Sequence, residues 1–190
     1  MKRFSVFFSC LLLCSCSSGG NVLKYGFLPG GDYQYYAPIE QTDLKKTKYN
    51  LIISDERSGI NKINCSDISL DRNTELEGPN GFEFFKNYCR AMFKANNGII
   101  ESTSENDIYI KLKGLSAQYY GFVFVKIYGL VEFEVVSKNL SNTYCSEMKD
   151  GDNDAPLKTA SFDTRKGALR KMASGTTRRA LEKFMHDLSH

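Results

Sequence analysis

The amino-acid sequence predicts an α+β fold: a mixed, mostly antiparallel sheet of about four strands with two helices packed on one face. Three observations lead to this prediction. Residues 49–54 form a short apolar run that is typical of a strand. Residues 82–95 and 164–188 repeat apolar side chains at three- and four-residue spacing, which predicts two amphipathic helices. Residues 106–148 are rich in β-branched and aromatic residues, which predicts several strands.

The first half of the chain contains one strand and one helix. The strand "YNLIIS" at 49–54 ends in a charged turn, and a weak extended stretch follows at 63–70. The helix at 82–95 follows Pro-Asn-Gly and stops at Asn-Asn-Gly, because asparagine and glycine favour helix ends. The next strand, 106–113, alternates apolar and polar residues and so has one buried face. Because a helix joins the two strands, a right-handed crossover would make them parallel.

The second half adds antiparallel strands. Residues 119–138 are predicted to run extended, with Gly121 and Gly129 as sites of a bulge or bend. A turn at 138–142 leads into a strand at 143–148, which makes an antiparallel hairpin. An exposed edge of this sheet could recruit a partner by strand addition.

The last helix has a strong charge asymmetry. Asp163 is its predicted N-cap, and the helix covers 164–188. One face is apolar, whereas the other carries many more basic than acidic residues. This asymmetry predicts a surface for anionic partners such as lipid headgroups, lipopolysaccharide or an acidic protein, and a solvated helix face is the alternative. The candidate residues of this anionic-partner surface are Arg170, Lys171, Arg178 and Arg179.

The N-terminus has the pattern of an export signal. Lys2 and Arg3 precede an apolar run at 4–13, which is the order found in a secretory signal peptide. About ten residues rise only about 15 Å as a helix, roughly half the thickness of a hydrocarbon core, so this run cannot span a membrane. Residues 1–15 are therefore predicted to be a signal peptide.

The residues around Cys16 resemble a bacterial lipobox. Leu13 lies three positions before Cys16 and the small Ser15 lies directly before it, whereas Cys14 follows the bulky Leu13. In that motif the cysteine becomes the first mature residue and carries the acyl chains, and two or more chains anchor a protein stably. Ser17 stands where an aspartate would signal retention at the inner membrane. The resemblance therefore implies an anchor in the outer membrane, facing the periplasm.

The mature chain is predicted to contain one domain at 49–190, behind a lipidated cysteine and a flexible tether at 16–48. Apolar residues make up 42% of the sequence, which is enough for a packed core. Loss of Lys2 and Arg3 with the signal peptide lowers the formal charge from +3 to +1. No global positive field therefore points to a nucleic-acid partner.

Three cysteines remain beyond Cys16. An oxidising periplasm permits one disulfide among Cys65, Cys89 and Cys145, and all three pairings are open from the sequence. Cys89 lies in a helical pattern beside apolar residues and is expected to be a buried thiol, so Cys65–Cys145 is the favoured pair. The spacings contain no CxxC, which disfavours a zinc or redox site.

The sequence offers no catalytic machinery. Its only histidines are His186 and His190, both at the end of the last helix, which disfavours a nucleophilic triad. The acidic loop at 150–156 lacks the glycine and glutamate of an EF-hand, so it is predicted to be an acidic surface turn and not a metal site. We expect no cofactor. The chain is therefore predicted not to be an enzyme.

The order of these elements resembles the YajG family of bacterial outer-membrane lipoproteins. The resemblance rests on "YNLIISDERSG" at 49–59, the helix at 82–95, the strands within 106–138 and the last helix. It implies the same α+β core, and only Cys16 carries over as a site. The function expected is a lipid-anchored, non-enzymatic adaptor or accessory subunit for another envelope protein. The alternative is a lipoprotein that binds or assembles an anionic glycan or lipid, namely peptidoglycan or lipopolysaccharide.

Overall fold

The fold combines one long mixed sheet with two helices. The computed structural model describes residues 25–27, 34–157 and 164–190. In chain order its elements are β1 (Tyr25–Phe27), β2 (Gln34–Tyr36), β3 (Lys48–Asp55), α1 (Pro79–Ala95), β4 (Ile99–Ile100), β5 (Asp107–Tyr120), β6 (Lys126–Ser137), β7 (Ser141–Lys149) and α2 (Arg165–Leu188).

The main sheet has five strands in the order β4-β3-β5-β6-β7, and β1 and β2 form a separate two-stranded sheet. Strand β3 pairs in parallel with β4 and β5, whereas β5–β6 and β6–β7 are longer antiparallel ladders. The predicted α+β class is confirmed. The prediction of about four strands missed β4, because two residues are too few to produce a periodic pattern.

Both helices pack on the same face of the sheet. Phe85 of α1 and Phe184 of α2 both contact Phe133 of β6, with ring centroids 5.4 and 6.2 Å apart. Phe93 of α1 also packs edge-on against Phe184 at 5.8 Å. These buried aromatic rings form one core between the sheet and the two helices.

A glycine in β6 allows α2 to lie close to the sheet. A Cβ built on Gly129 would lie 2.0 Å from Thr176 Oγ1 and 2.7 Å from the Met172 carbonyl oxygen. A Cβ on Gly175 would lie 2.6 Å from Pro156 and 2.9 Å from Met148 Sδ, and residues 172–178 are all buried. The middle of α2 is therefore enclosed on more than one side, unlike a helix that rests on a sheet with one face exposed to solvent.

The opposite face of the sheet is partly covered by the loop at 56–78. Ile63, Ile68 and Leu70 of this loop pack on Leu130 of β6 and form a second, smaller core. Gln118 of β5 binds the loop twice, because its Oε1 accepts from the Asp71 amide and its Nε2 donates to the Ser69 carbonyl, at 2.8 and 2.9 Å. The extended stretch predicted at 63–70 is part of this loop, with a single bridge between Lys62 and Ser69.

A buried arginine joins the two ends of the loop at 56–78 (the covering loop). The Arg57 guanidinium forms two hydrogen bonds with the Asp55 carboxylate, both at 2.7 Å. It also donates to the carbonyl oxygens of Leu76 and Gly78, at the start of α1. The chain that leaves β3 is therefore fastened to the chain that enters α1.

The β5–β6 hairpin differs from the sequence prediction. Strand β5 continues through 114–118 to Tyr120, with a register shift between Leu112 and Gly114. The turn lies at 121–125, inside the segment that was predicted to run extended from 119 to 138. Gly121 has φ +116°, a conformation that L side chains rarely adopt, so it sets the turn.

Part of the predicted tether packs on the helices. The Tyr36 amide donates to the Tyr88 hydroxyl at 2.9 Å, and that hydroxyl donates to the Tyr36 carbonyl at 3.0 Å. Leu44 is buried in the main core, and its amide donates to the Asn96 carbonyl at 2.8 Å. The packed unit therefore begins before residue 49 and includes described residues 34–48.

Candidate functional site

The most exposed apolar surface among the described residues is the turn at 121–125, called the hairpin tip below. Phe122 is 99% exposed and Phe124 is 83% exposed, and Val123 and Val125 are also exposed. Sequence analysis missed this surface because alternating aromatic and branched residues are typical of a buried strand. The available signal was Gly121, which the sequence marked as a bulge or bend and which has φ +116° in the structure.

Aromatic and basic residues stand at the base of the hairpin tip. Tyr120 and Tyr128 pack edge-to-face across the hairpin, with ring centroids 5.9 Å apart. On the side of the helices, the Arg165 guanidinium lies over the Tyr119 ring at 5.1 Å. Ile127 is buried in the main core and fixes the base of the hairpin to the domain. The tip is thus an apolar projection on a rigid support.

The structure places the predicted anionic-partner surface largely inside the protein. Arg178 is 0% exposed, and its Nη2 donates to the Asp154 carboxylate at 2.8 Å and to the Asp154 carbonyl at 3.0 Å. Its Nη1 lies 3.5 Å from Glu182 Oε1. Arg178 is therefore not available to an external anion, and its place in the predicted surface is wrong.

Arg179 is also neutralised from within. Its guanidinium binds the Asp154 carboxylate and lies 3.1 Å from Asp152 Oδ2, and its Nη1 donates to the Glu147 carbonyl at 2.8 Å. Burial opposes the charge on Asp154, but the hydrogen bond and charge of Arg179 and the charge of Arg178 outweigh it and lower the pKa of Asp154. Asp154 and Asp152 lie in the acidic loop that sequence analysis assigned to solvent.

The remaining two residues of the predicted surface are partly buried. Arg170 binds Glu75 through Nε at 2.7 Å and Nη2 at 3.3 Å, and Lys166 reaches the same carboxylate at 3.0 Å. Lys171 is half-buried in α2 and has an interaction of its own. The four predicted residues therefore do not form one open basic patch, because α2 is flanked by acidic residues from other segments.

A cavity of about 360 Å³ lies beside the N-terminal part of α2. Its walls include Glu75, Gln118, Tyr119, Arg165 and Arg170. Because Glu75 already pairs with Arg170, the cations of this cavity are partly neutralised. The lining combines acidic, basic and apolar side chains.

The structure confirms the cysteine pairing that the sequence favoured. The structure joins Cys65 of the covering loop to Cys145 of β7 in a disulfide, with Cα atoms 5.8 Å apart. Cys89 is a free and fully buried thiol, and burial raises its pKa far above the usual range. The disulfide fastens the covering loop to the sheet, whereas Cys89 serves as core.

Several predictions concern features that the described residues test only in part. Cys16 and the predicted N-cap Asp163 lie outside the described residues; within them, Thr164 accepts from the Gly167 amide at the start of α2. Neither α1 nor α2 has the combined length and apolar character of a transmembrane helix. Across 34–157 and 164–190, no cluster of three or more His, Cys, Asp or Glu side chains is arranged to hold a metal ion.

The chain is similar in structure to two bacterial lipoproteins and to a third bacterial protein. Rare lipoprotein B from Shewanella oneidensis shares 16% identity, with a TM-score of 0.39, over 74% of this chain and 99% of that one. A minor lipoprotein from Acinetobacter baumannii shares 6% identity, with a TM-score of 0.38, over 77% of this chain and 92% of that one. A DUF330 protein from Xanthomonas campestris shares 11% identity, with a TM-score of 0.41, over 88% of this chain and 90% of that one.

These likenesses are too distant to assign a family or a function. The sequence matches no protein-family model and no curated protein. The resemblance to the YajG family therefore stays a prediction from the order of the elements.

Proposed function

We propose that this protein is a bacterial lipoprotein, anchored through Cys16 in the outer membrane and facing the periplasm, that acts as a non-enzymatic adaptor or accessory subunit. The lipobox-like sequence ending at Cys16 supports the anchor. The observation that carries the adaptor role is the outer edge of β3, which offers backbone groups to a partner strand.

The outer edge of β3 is covered over only part of its length. Strand β4 pairs with Lys48 and Tyr49, and no other strand in the described part of the chain pairs with this side of β3. Farther along, the Asn50 amide donates toward β5, to the Asn106 carbonyl at 3.0 Å. Because backbone direction alternates along a strand, the polar groups of Leu51 and Ile53 point away from β5. An extended partner segment can pair with them.

The opposite edge of the sheet is protected. Lys183 Nζ reaches the Cys145 carbonyl of β7 at 3.4 Å, and Arg179 Nη1 donates to the Glu147 carbonyl at 2.8 Å. Side chains of α2 therefore occupy outward carbonyl groups of β7, which is one way in which proteins protect an edge strand. This contrast between the two edges favours β3 as the partner site.

The alternative function, binding of peptidoglycan or lipopolysaccharide, has less support. It depended on the basic face of α2, but Arg178 is buried and Arg179 is paired with Asp152 and Asp154. Burying an arginine against an aspartate leaves little charge for an external ligand. We therefore favour a protein partner.

The anchor is tested by intact-mass analysis of the membrane fraction. The wild-type chain should have the mass of residues 16–190 plus lipid, and the Cys16→Ala variant should lose this species. An unlipidated wild-type product would remove the anchor from the proposal and leave the partner site to be tested separately.

The partner site is tested by photo-crosslinking in cells. A photoreactive amino acid replaces Ile52, whose side chain is exposed on β3, or Asn139 as a control in the exposed β6–β7 turn. We expect a protein adduct from position 52 that is absent at position 139. Equal labelling at both positions, or labelling of glycan or lipid alone, would contradict the adaptor role.

A further inference from the structure

The hairpin tip exposes apolar side chains that the folded domain does not use. The four residues after Gly121 are Phe, Val, Phe and Val, and all four are exposed. Clustered exposed apolar residues in a soluble domain usually mark a surface that binds another molecule. Because the tip projects from the end of a hairpin, it has the shape of an insert rather than of a groove.

We propose that the hairpin tip inserts into the interfacial region of the lipid bilayer to which the protein is anchored. This inference deepens the proposed function, since it rests on a membrane anchor at Cys16 and names a second membrane contact. It assigns to the tip the role of orienting the domain on the membrane, which an anchor at a single point cannot do alone.

The chemistry of the tip and its base matches the layers of a membrane surface. Two phenylalanines form the apex, Tyr120 and Tyr128 lie behind it, and exposed Lys126 starts the returning strand. Tyrosine is favoured at the boundary between hydrocarbon and headgroups, because its ring is apolar and its hydroxyl is polar. Lysine can place its methylenes in the apolar layer and its charge among phosphates.

The charges around the base are mixed but include cations that can reach the headgroups. Lys126 is exposed, and Arg165 is exposed while it stacks on Tyr119. Acidic residues also lie at the base: Asp150, directly after β7, accepts from the Ile127 amide at 3.1 Å and is half-buried, and Glu75 lines the same cavity as Arg165. A convex apolar tip with such a base fits an anionic lipid surface better than a protein pocket.

The length of the chain before the domain permits this arrangement. The β1–β2 pairing sets Tyr25 beside Tyr36, and Tyr36 binds Tyr88 near Arg178 in the middle of α2. Nine residues from Cys16 to Tyr25 can reach at most about 30 Å. Thirteen residues of helix, from Arg178 to Arg165 at the base of the tip, span about 20 Å. The acyl chains and the tip can therefore contact one bilayer.

The absence of tryptophan from the sequence makes a direct test available. Phe122→Trp introduces a single tryptophan at the tip. Tyr109→Trp introduces one at the end of β5 that lies farthest from the tip, where Tyr109 is 42% exposed. Each acylated protein is reconstituted into vesicles of phosphatidylethanolamine and phosphatidylglycerol. The acyl chains of these lipids are either plain or brominated, because bromine quenches tryptophan on contact.

We expect brominated lipid to quench Phe122→Trp about twofold, because an inserted tip would lie roughly 5–10 Å below the surface. The Tyr109→Trp control should be unaffected. Adding Phe124→Asp to Phe122→Trp should abolish the quenching, because a carboxylate in the tip opposes insertion. Equal, weak quenching of Phe122→Trp and Tyr109→Trp would overturn the inference and leave a protein partner as the occupant of the tip.

Failure of this inference can be distinguished from failure of the proposed anchor. The intact mass of the reconstituted protein reports acylation at Cys16, whereas bromine quenching reports the position of the tip. An acylated protein without quenching keeps the anchor and rejects insertion. An unacylated protein that is still quenched after addition to vesicles rejects the anchor and keeps the membrane-binding tip.

Discussion

Arg178 Nη2 donates to Asp154 Oδ2 at 2.8 Å although the arginine side chain is completely buried. The partner comes from the loop between β7 and α2, which sequence analysis treated as an acidic surface turn. Two segments of opposite charge that were each expected to face solvent are thus partners of one another. This pair links α2 to the loop that precedes it.

Removal of the Asp154 carboxylate should destabilise the fold. Asp154→Ala leaves Arg178 with Glu182, at 3.5 Å, as its remaining acidic neighbour. We expect a loss of about 3 kcal/mol in the free energy of unfolding, because removing one partner of a buried ion pair leaves the arginine charge only partly compensated. Urea unfolding of the purified domain measures this loss.

A matched control is the exposed pair between Lys48 and Glu101, whose charged atoms are 2.8 Å apart. Glu101→Ala should cost much less than Asp154→Ala, because exposed pairs contribute little. Equal effects of Asp154→Ala and Glu101→Ala would contradict the structural importance assigned to the buried pair.

The same pair predicts a dependence of stability on pH. The pKa of Asp154 is lowered in the folded protein from its ordinary value of 3.8, so folding favours its charged form. The contribution of Asp154 to the free energy of unfolding is therefore complete above about pH 4 and is lost as the pH falls through its pKa in the folded protein. The difference in stability between wild type and Asp154→Asn should shrink on acidification, as measured by urea unfolding at several pH values.

Glu182 has the opposite behaviour and must be separated from Asp154. Burial raises the pKa of Glu182 above 4.5 despite the charge of Arg178. The contribution of Glu182 to the free energy of unfolding therefore falls as the pH rises from the ordinary pKa of a glutamate to its raised pKa in the folded protein. Comparison of Asp154→Asn with wild type at each pH largely cancels this effect. A difference that stays constant down to pH 2 would refute the prediction for Asp154.

Reduction of the Cys65–Cys145 disulfide should release the covering loop. The bond closes a sequence separation of 80 residues, and loops of this size typically contribute about 2–4 kcal/mol when cross-linked. We expect Cys65→Ala and reduction of the wild type to lower the unfolding free energy by similar amounts. Reduction of Cys65→Ala itself should have no further effect, and a further loss would show that another disulfide exists.

Gly129→Ala should disturb the contact between β6 and α2. The added Cβ would meet Thr176 Oγ1 and the Met172 carbonyl well inside normal contact distance. We expect a loss of roughly 1–3 kcal/mol in unfolding free energy, because backbone must shift to make room. Gly78→Ala is a suitable control, since its Cβ would lie 3.8 Å from the nearest atom, and it should be milder in a thermal melt.

Much of the fold followed from local patterns in the sequence. The spacing of Phe85, Cys89 and Met92 predicted the buried face of α1, and all three are buried in the main core. The alternation of Ile108, Ile110 and Leu112 likewise predicted the inner face of β5. Periodic burial is visible in sequence because one side of each element faces the core.

Local sequence patterns did not predict the environment of the site residues. A helix wheel places Arg178 on a polar face, but it does not show that other segments cover that face. The small residues Ser174, Gly175 and Thr176 were the available signal, because they permit close approach on several sides of α2. The exposure of the hairpin tip was not predicted for the converse reason, since an apolar pattern does not show whether a segment turns into solvent.

The sequence by itself determined the main secondary structure, the α+β class and the export-like N-terminus, because these depend on periodicity and composition within short stretches. Only the tertiary structure decided which charges are paired inside, which strand edge is open and which apolar segment is exposed. Those properties depend on contacts between segments far apart in the chain. Because of that packing, Asp154 pairs with Arg178, and Phe122 lies outside the core.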